Sequence, residues 1–289
     1  MATARMTWGF IGPADPRNNF WSGLRELEAG MTEPMSLSPL PGDSSLRSED
    51  LLCRRENWIA VNKPGGVLTQ APPGIDSVEL RVYRWRQEQL TGGNSESNYV
   101  GVPHRLDRPV SGVMLLGLSR NMTRRLAELF QRREVTKRYW AVVEGEVAED
   151  AGTWSDFMRK IPDEARSEIV SGDHPEAQLA VLNYRVLGRS PGRTWLRIEL
   201  ETGRTHQIRL QCSARGYPIV GDELYGARTV FGPQTTDLRE RWIGLHARRL
   251  SFREPGGQAG NLINLVAPLY IPWEPLIGNF PQMLELENH

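Results

Sequence analysis

His104-Arg105-Leu106-Asp107-Arg108-Pro109-Val110-Ser111-Gly112 runs directly into Val113-Met114-Leu115-Leu116. One carboxylate, Asp107, stands between two guanidinium groups, Arg105 and Arg108, at the edge of an apolar run. Cations beside a carboxylate favour its ionised form. The apolar continuity from Gly112 to Leu118 reads as a buried strand, which would fix the acid in space. The bland reading of the same residues is a structural ion pair.

On the C-terminal side, Ser119 or Asn121 is placed to cap a helix in which Met122, Leu126 and Leu129 recur at helical spacing. From Arg120 to Arg138 there are seven basic residues against two acids. Arg124, Arg125 and Arg132 of this patch are candidate phosphate contacts, with a solvated helix face as the alternative. Lys137 to Val143, Gln178 to Leu187 and Thr194 to Leu200 read as strands. Gly203 breaks the chain before a helix expected over Thr205 to Ala214. Gly226 to Trp242 reads as a loop, and His246 to Phe252 with Leu262 to Val266 as a late hairpin.

On the N-terminal side, Trp58 to Asn62 reads as a buried strand stopped by a turn, Lys63-Pro64-Gly65-Gly66. Asp76 or Ser77 then caps a helix carrying Val78, Val82 and Trp85. Residues 1–50 are rich in Pro, Gly and Ser and read as an irregular extension ahead of one domain over 51–289. Consecutive strands with few helices between them predict an α+β fold built on a mixed, largely antiparallel sheet.

The chain has 289 residues, 39% hydrophobic and 24% charged, which suits a soluble globular protein. No apolar run approaches the roughly 20 residues of a spanning helix, so no membrane partner is expected. Two cysteines, Cys53 and Cys212, make neither a disulfide framework nor a metal site. His104, His206 and His246 lie in separate segments without a ligand pattern, so no metal is expected. A cytoplasmic monomer is the default. The formal net charge of zero gives nucleic-acid binding no support, and only the local patch does.

Four segments taken in order carry more than any one of them. They are Ile59-Ala60-Val61-Asn62-Lys63-Pro64-Gly65-Gly66, His104-Arg105-Leu106-Asp107, Lys137-Arg138-Tyr139-Trp140-Ala141-Val142-Val143-Glu144-Gly145, and Thr202-Gly203-Arg204-Thr205-His206-Gln207-Ile208-Arg209. Gly216-Tyr217-Pro218-Ile219-Val220-Gly221-Asp222 follows the last of them. From about Trp58 to Trp273 the chain resembles the RluA-type family of RNA pseudouridine synthases. The resemblance implies a bent mixed sheet with flanking helices and a central catalytic cleft. It implies an isomerase that breaks the N-glycosidic bond of a uridine in ribosomal or transfer RNA and rejoins the uracil through C5, without cofactor or metal. The catalytic aspartate would be Asp107, the active-site tyrosine Tyr139, the arginine paired with the aspartate Arg204, and the base-flipping arginine Arg105. Val110 stands where the family usually has threonine. The small basic S4-type domain that many relatives carry is not evident before Leu51.

The residue types suit that chemistry. A base in structured RNA must leave the stack, at a cost of a few kcal/mol. A guanidinium plane such as that of Arg105 can fill the gap. Asp107 would either attack C1′ or take a ribose proton. Tyr139 combines a stacking face with a proton donor, although a core aromatic is its plain alternative. His104, Arg108 and Arg209 complete the candidate RNA-binding residues. His104 is equally a structural hydrogen-bonding residue, and Arg209 serves either the fold or a phosphate. Two rival readings of the whole are an RNA-binding protein of the same fold without catalysis, and a nucleosidase that uses Asp107 hydrolytically.

Overall fold

Apolar runs and their breakers set the elements. In the computed structural model the first full strand pair is β2 (Leu51–Arg54) and β3 (Trp58–Lys63), with β3 buried along its length. Helix α1 (Val78–Gln89) follows, and Ser77 caps it by accepting from the Leu80 N–H at 3.2 Å. Strand β4 (Ser111–Gly117) is the apolar run after Asp107, and all its residues are buried. Ser119 then caps α2 (Arg120–Gln131), whose buried residue is Leu126. Strands β5 (Thr136–Glu144), β6 (Ala151–Lys160), β7 (Ser167–Ile169), β8 (Gln178–Ser190) and β9 (Arg193–Leu200) lead to helix α3 (Gln207–Ala214). Strands β10 (Leu245–Arg253) and β11 (Leu262–Val266) form the late hairpin. A short pair, β1 (Leu37–Ser38) and β12 (Leu269–Tyr270), precedes the terminal turn α4 (Glu274–Ile277).

Ten strands make one sheet in the order β2-β3-β4-β10-β5-β9-β8-β6-β7, with β11 also on β10. Every pairing in it is antiparallel except β4 with β10. The fold is therefore α+β on a mixed, largely antiparallel sheet. The parallel contact needs Gly112, whose φ is +120° and whose position admits no Cβ, since one would collide with the Ala247 backbone. That close approach delivers the 104–110 loop to the middle of the sheet.

The structure describes residues 37–38, 46–89, 98–256, 261–278 and 280. They fall within one unit, Met35–Met283. The extension expected over residues 1–50, with its lack of an S4-type domain, lies mostly outside the described residues. Within it, Leu46 belongs to the core, and buried Asp50 accepts from Tyr270 Oη at 2.8 Å, so packing reaches back before Leu51. Among the described residues no helix is long and apolar enough to cross a membrane.

Candidate active site

The Asp107 loop is fastened on both sides. Before it, Thr69 Oγ1 donates to the Leu106 carbonyl at 2.8 Å and accepts from the Leu106 N–H at 3.2 Å. After it, Lys63 Nζ donates to the carbonyls of Arg108 and Val110 at 3.0 and 2.7 Å, and to that of Pro64 at 2.9 Å. Lys63 is fully buried. Burial pulls its pKa down to about 7, while the charge of Asp107 acts the other way. Three carbonyls around one nitrogen suit the three N–H bonds of an ammonium. The Asn62–Gly66 segment, read from sequence as an ordinary turn, thus also anchors the loop. Lys63→Met is expected to cost at least about 2 kcal/mol, because buried carbonyls lose their donor. Urea titration checks it, and an unchanged midpoint would show the anchor to be idle.

Helix α3 supplies the countercharge. Arg209, 4% exposed, places Nε and Nη2 on the two oxygens of Asp222 at 2.7 and 2.8 Å. Its remaining nitrogen, Nη1, reaches Asp107 Oδ2 at 3.4 Å. Burial opposes the charge of Arg209, but the hydrogen bonds and attraction of Asp222, followed by the attraction of Asp107, outweigh it and raise its pKa. His206, in a left-handed conformation at φ 57°, places Nε2 3.7 Å from Asp107 Oδ2. Its Nδ1 is 2.9 Å from Tyr225 Oη, which itself accepts from the Ser167 N–H. Burial lowers the His206 pKa and favours neutral imidazole.

A cleft opens on both sides of Asp107, with a lobe of about 1720 Å³ and one of about 420 Å³. Tyr139, on β5 opposite Ala247, lines the smaller lobe. Its hydroxyl has no hydrogen-bond partner among the described residues. Burial raises its pKa, and the charge of Asp107 raises it further, so the phenol keeps its proton at neutral pH. Arg105 is exposed and lines both lobes, with one long contact to Thr205 Oγ1 at 3.4 Å.

Several sequence expectations need correction. The arginine on Asp107 is Arg209, not Arg204. Helix α3 starts at Gln207 rather than Thr205, and Arg204, ahead of it, turns its Nε to the Leu179 carbonyl at 3.0 Å. Neither Arg105 nor Arg108 pairs with Asp107. Arg108 donates to the Gly66 carbonyl at 2.8 Å and pairs with Glu240 at 3.3 Å. His104 lines both lobes, with its Nε2 accepting from the Leu115 N–H at 2.9 Å and its ring stacked on Phe130. Burial lowers its pKa to about 3, so it stays an acceptor. Of the basic patch, Arg124 is held by Glu128 and Asn121, and Arg124, Arg125 and Arg132 do not line the cleft. Arg133 and Lys137 do.

Sequence reasoning gave no role to Asp222 and Thr69. A signal for Asp222 was present: Arg209 sits between Ile208 and Leu210, and an arginine in such a run needs a carboxylate when buried. Thr69 left no signal, since it acts through a loop contact remote in sequence.

Residues 57–214 match the family model described as RNA pseudouridylate synthase. The tRNA pseudouridine synthase C of Salmonella typhi is 32% identical over 238 residues, covering 78% of this chain and 88% of that protein. The ribosomal large subunit pseudouridine synthase D of Haemophilus ducreyi is 28% identical over 259 residues, covering 87% and 75%. Among solved structures, human RNA pseudouridylate synthase domain containing 4 aligns with TM-score 0.63 and 24% identity, over 80% of this chain and 93% of that one, and so shares the fold. Three of the four motif segments line one cleft with Asp107 and Tyr139, the fourth, residues 59–66, fastens the Asp107 loop, the family match covers all four, and the chain belongs to the RNA pseudouridine synthase family.

Proposed function

We propose that this protein isomerises specific uridines of structured RNA, ribosomal or transfer, to pseudouridine, with Asp107 as the catalytic carboxylate. The observation that supports this most is the setting of Asp107. It is fastened from both sides, paired with Arg209, and open to the lobe that holds the unpartnered hydroxyl of Tyr139. In the reaction the bond from N1 to C1′ breaks, the uracil turns, C5 bonds to C1′, the proton on C5 leaves, and N1 takes up a proton. Asp107 acts either at C1′ or on a ribose proton. Arg209 keeps its carboxylate aimed. Tyr139 lies under the base and relays the C5 proton. Arg105 has the freedom to enter the gap left by the flipped nucleotide.

The relatives' names divide between transfer and ribosomal RNA. Mapping pseudouridines in total RNA from cells with and without the gene tests the proposal. One or more uridines should lose the modification, and identical maps would contradict it. Tyr139→Phe keeps the ring and removes the proton. It is expected to bind RNA normally and to lose about 100-fold or more in turnover. A near-normal rate would make Tyr139 a packing residue.

A further inference from the structure

The two lobes beside Asp107 treat positive charge differently. In the larger lobe, cations and acids are nearly balanced, and three arginines there are neutralised locally. Arg239 pairs with Asp237 at 2.9 Å, Arg241 with Glu223, and Arg108 with Glu240 at 3.3 Å. The smaller lobe carries five cations and two acids. Its acids are occupied: Asp107 by Arg209, and Glu201 as acceptor from Asn183 Nδ2 at 2.8 Å. The side chains of Arg133 and Lys137 make no hydrogen bond or ion pair among the described residues. Arg204 uses only Nε, on the Leu179 carbonyl, and its two terminal nitrogens have no partner among the described residues.

We propose that Arg133, Lys137 and Arg204 form a phosphate seat that holds the RNA backbone next to the target uridine. The seat rests on the RNA reading of the cleft and puts phosphates of the bound strand in the smaller lobe. Two features support it. Lys137 is only partly exposed, yet has no acid partner among the described residues, an arrangement that is costly until an anion arrives. A Cβ at Gly203 would stand 3.5 Å from Lys137 Nζ, which puts the ammonium beside the Gly203–Arg204 backbone. Burial and the neighbouring Arg133 charge both lower the pKa of Lys137, and a bound phosphate would reverse that.

The test is the salt dependence of binding to a short fluorescein-labelled single-stranded RNA, read by anisotropy over a KCl series. Arg133→Gln with Lys137→Gln should flatten the plot of log affinity against log salt by about 0.7 for each phosphate no longer neutralised. Arg204→Gln should add a similar step, and Lys137→Arg should keep the wild-type slope. Arg228→Gln, at an exposed arginine outside the cleft, is the control for bulk charge and should leave the slope unchanged. Circular dichroism checks the fold; if the double variant fails to fold, Arg133→Gln alone, at an exposed position, carries the test. A wild-type slope in the seat variants overturns the seat, as does equal flattening by Arg228→Gln, even if the protein forms pseudouridine. A flattened slope in a protein that forms no pseudouridine upholds the seat while the isomerase reading falls.

Discussion

Asp107→Asn is expected to remove pseudouridine formation, by about 10,000-fold if the carboxylate acts as the base, while fold and RNA affinity persist. An amide keeps the shape of the side chain but neither attacks C1′ nor takes a proton. The structure says why the fold should tolerate it. Arg209 does not depend on Asp107 for its countercharge, because two of its nitrogens are on Asp222 at 2.7 and 2.8 Å. The loop around residue 107 is fastened through the backbone of Leu106, Arg108 and Val110, which the substitution leaves alone. Single-turnover assays with anisotropy measured in parallel check both halves. Turnover at a tenth of the normal rate would remove Asp107 from the chemistry, and loss of binding would make it a contact residue.

Arg209→Met should be the most damaging change in the site, because it strikes stability and activity together. It leaves the buried carboxylate of Asp222 without its partner, and removing one member of such a pair costs about 3–5 kcal/mol. Arg209→Lys keeps the charge but loses the planar fork that serves Asp222 and Asp107 at once. It should fold better than the Met variant and remain nearly inactive. Combining Arg209→Met with Asp222→Leu should recover stability without activity, which separates the two roles. Chemical denaturation and turnover measured on the three proteins check this. Activity restored in the double variant would show that Arg209 acts only through the fold.

The parts of the fold that were legible were those with an unbroken apolar signal. Strands β3, β4 and β5 are buried for most of their length, and the polar caps Ser77 and Ser119 stand where the helices begin. Strand β6 was missed because its exposure alternates and because Gly152, Ser155 and Asp156 interrupt its apolar residues. The site was legible in residue types but not in directions. Asp107 and Tyr139 reach one cleft, as the motifs imply. Choosing between Arg204 and Arg209 required knowing where each side chain turns: Arg209, on α3, meets Asp222 and Asp107, whereas Arg204 turns its Nε to the Leu179 carbonyl. Lys63 was hidden for another reason: its partners are backbone carbonyls of residues 108 and 110, which sequence does not distinguish from any others.

The most direct test of the central claim is release of tritium from RNA carrying [5-3H]uridine, with the products of the same reaction resolved after digestion. Isomerisation at Asp107 predicts tritium in the water, one pseudouridine formed per tritium released, an intact RNA chain and no free uracil. It also predicts no release with Asp107→Asn. Free uracil without pseudouridine would mean hydrolysis of the same bond, and no release from RNA that the wild-type protein binds would mean a binding protein; either result would contradict the account.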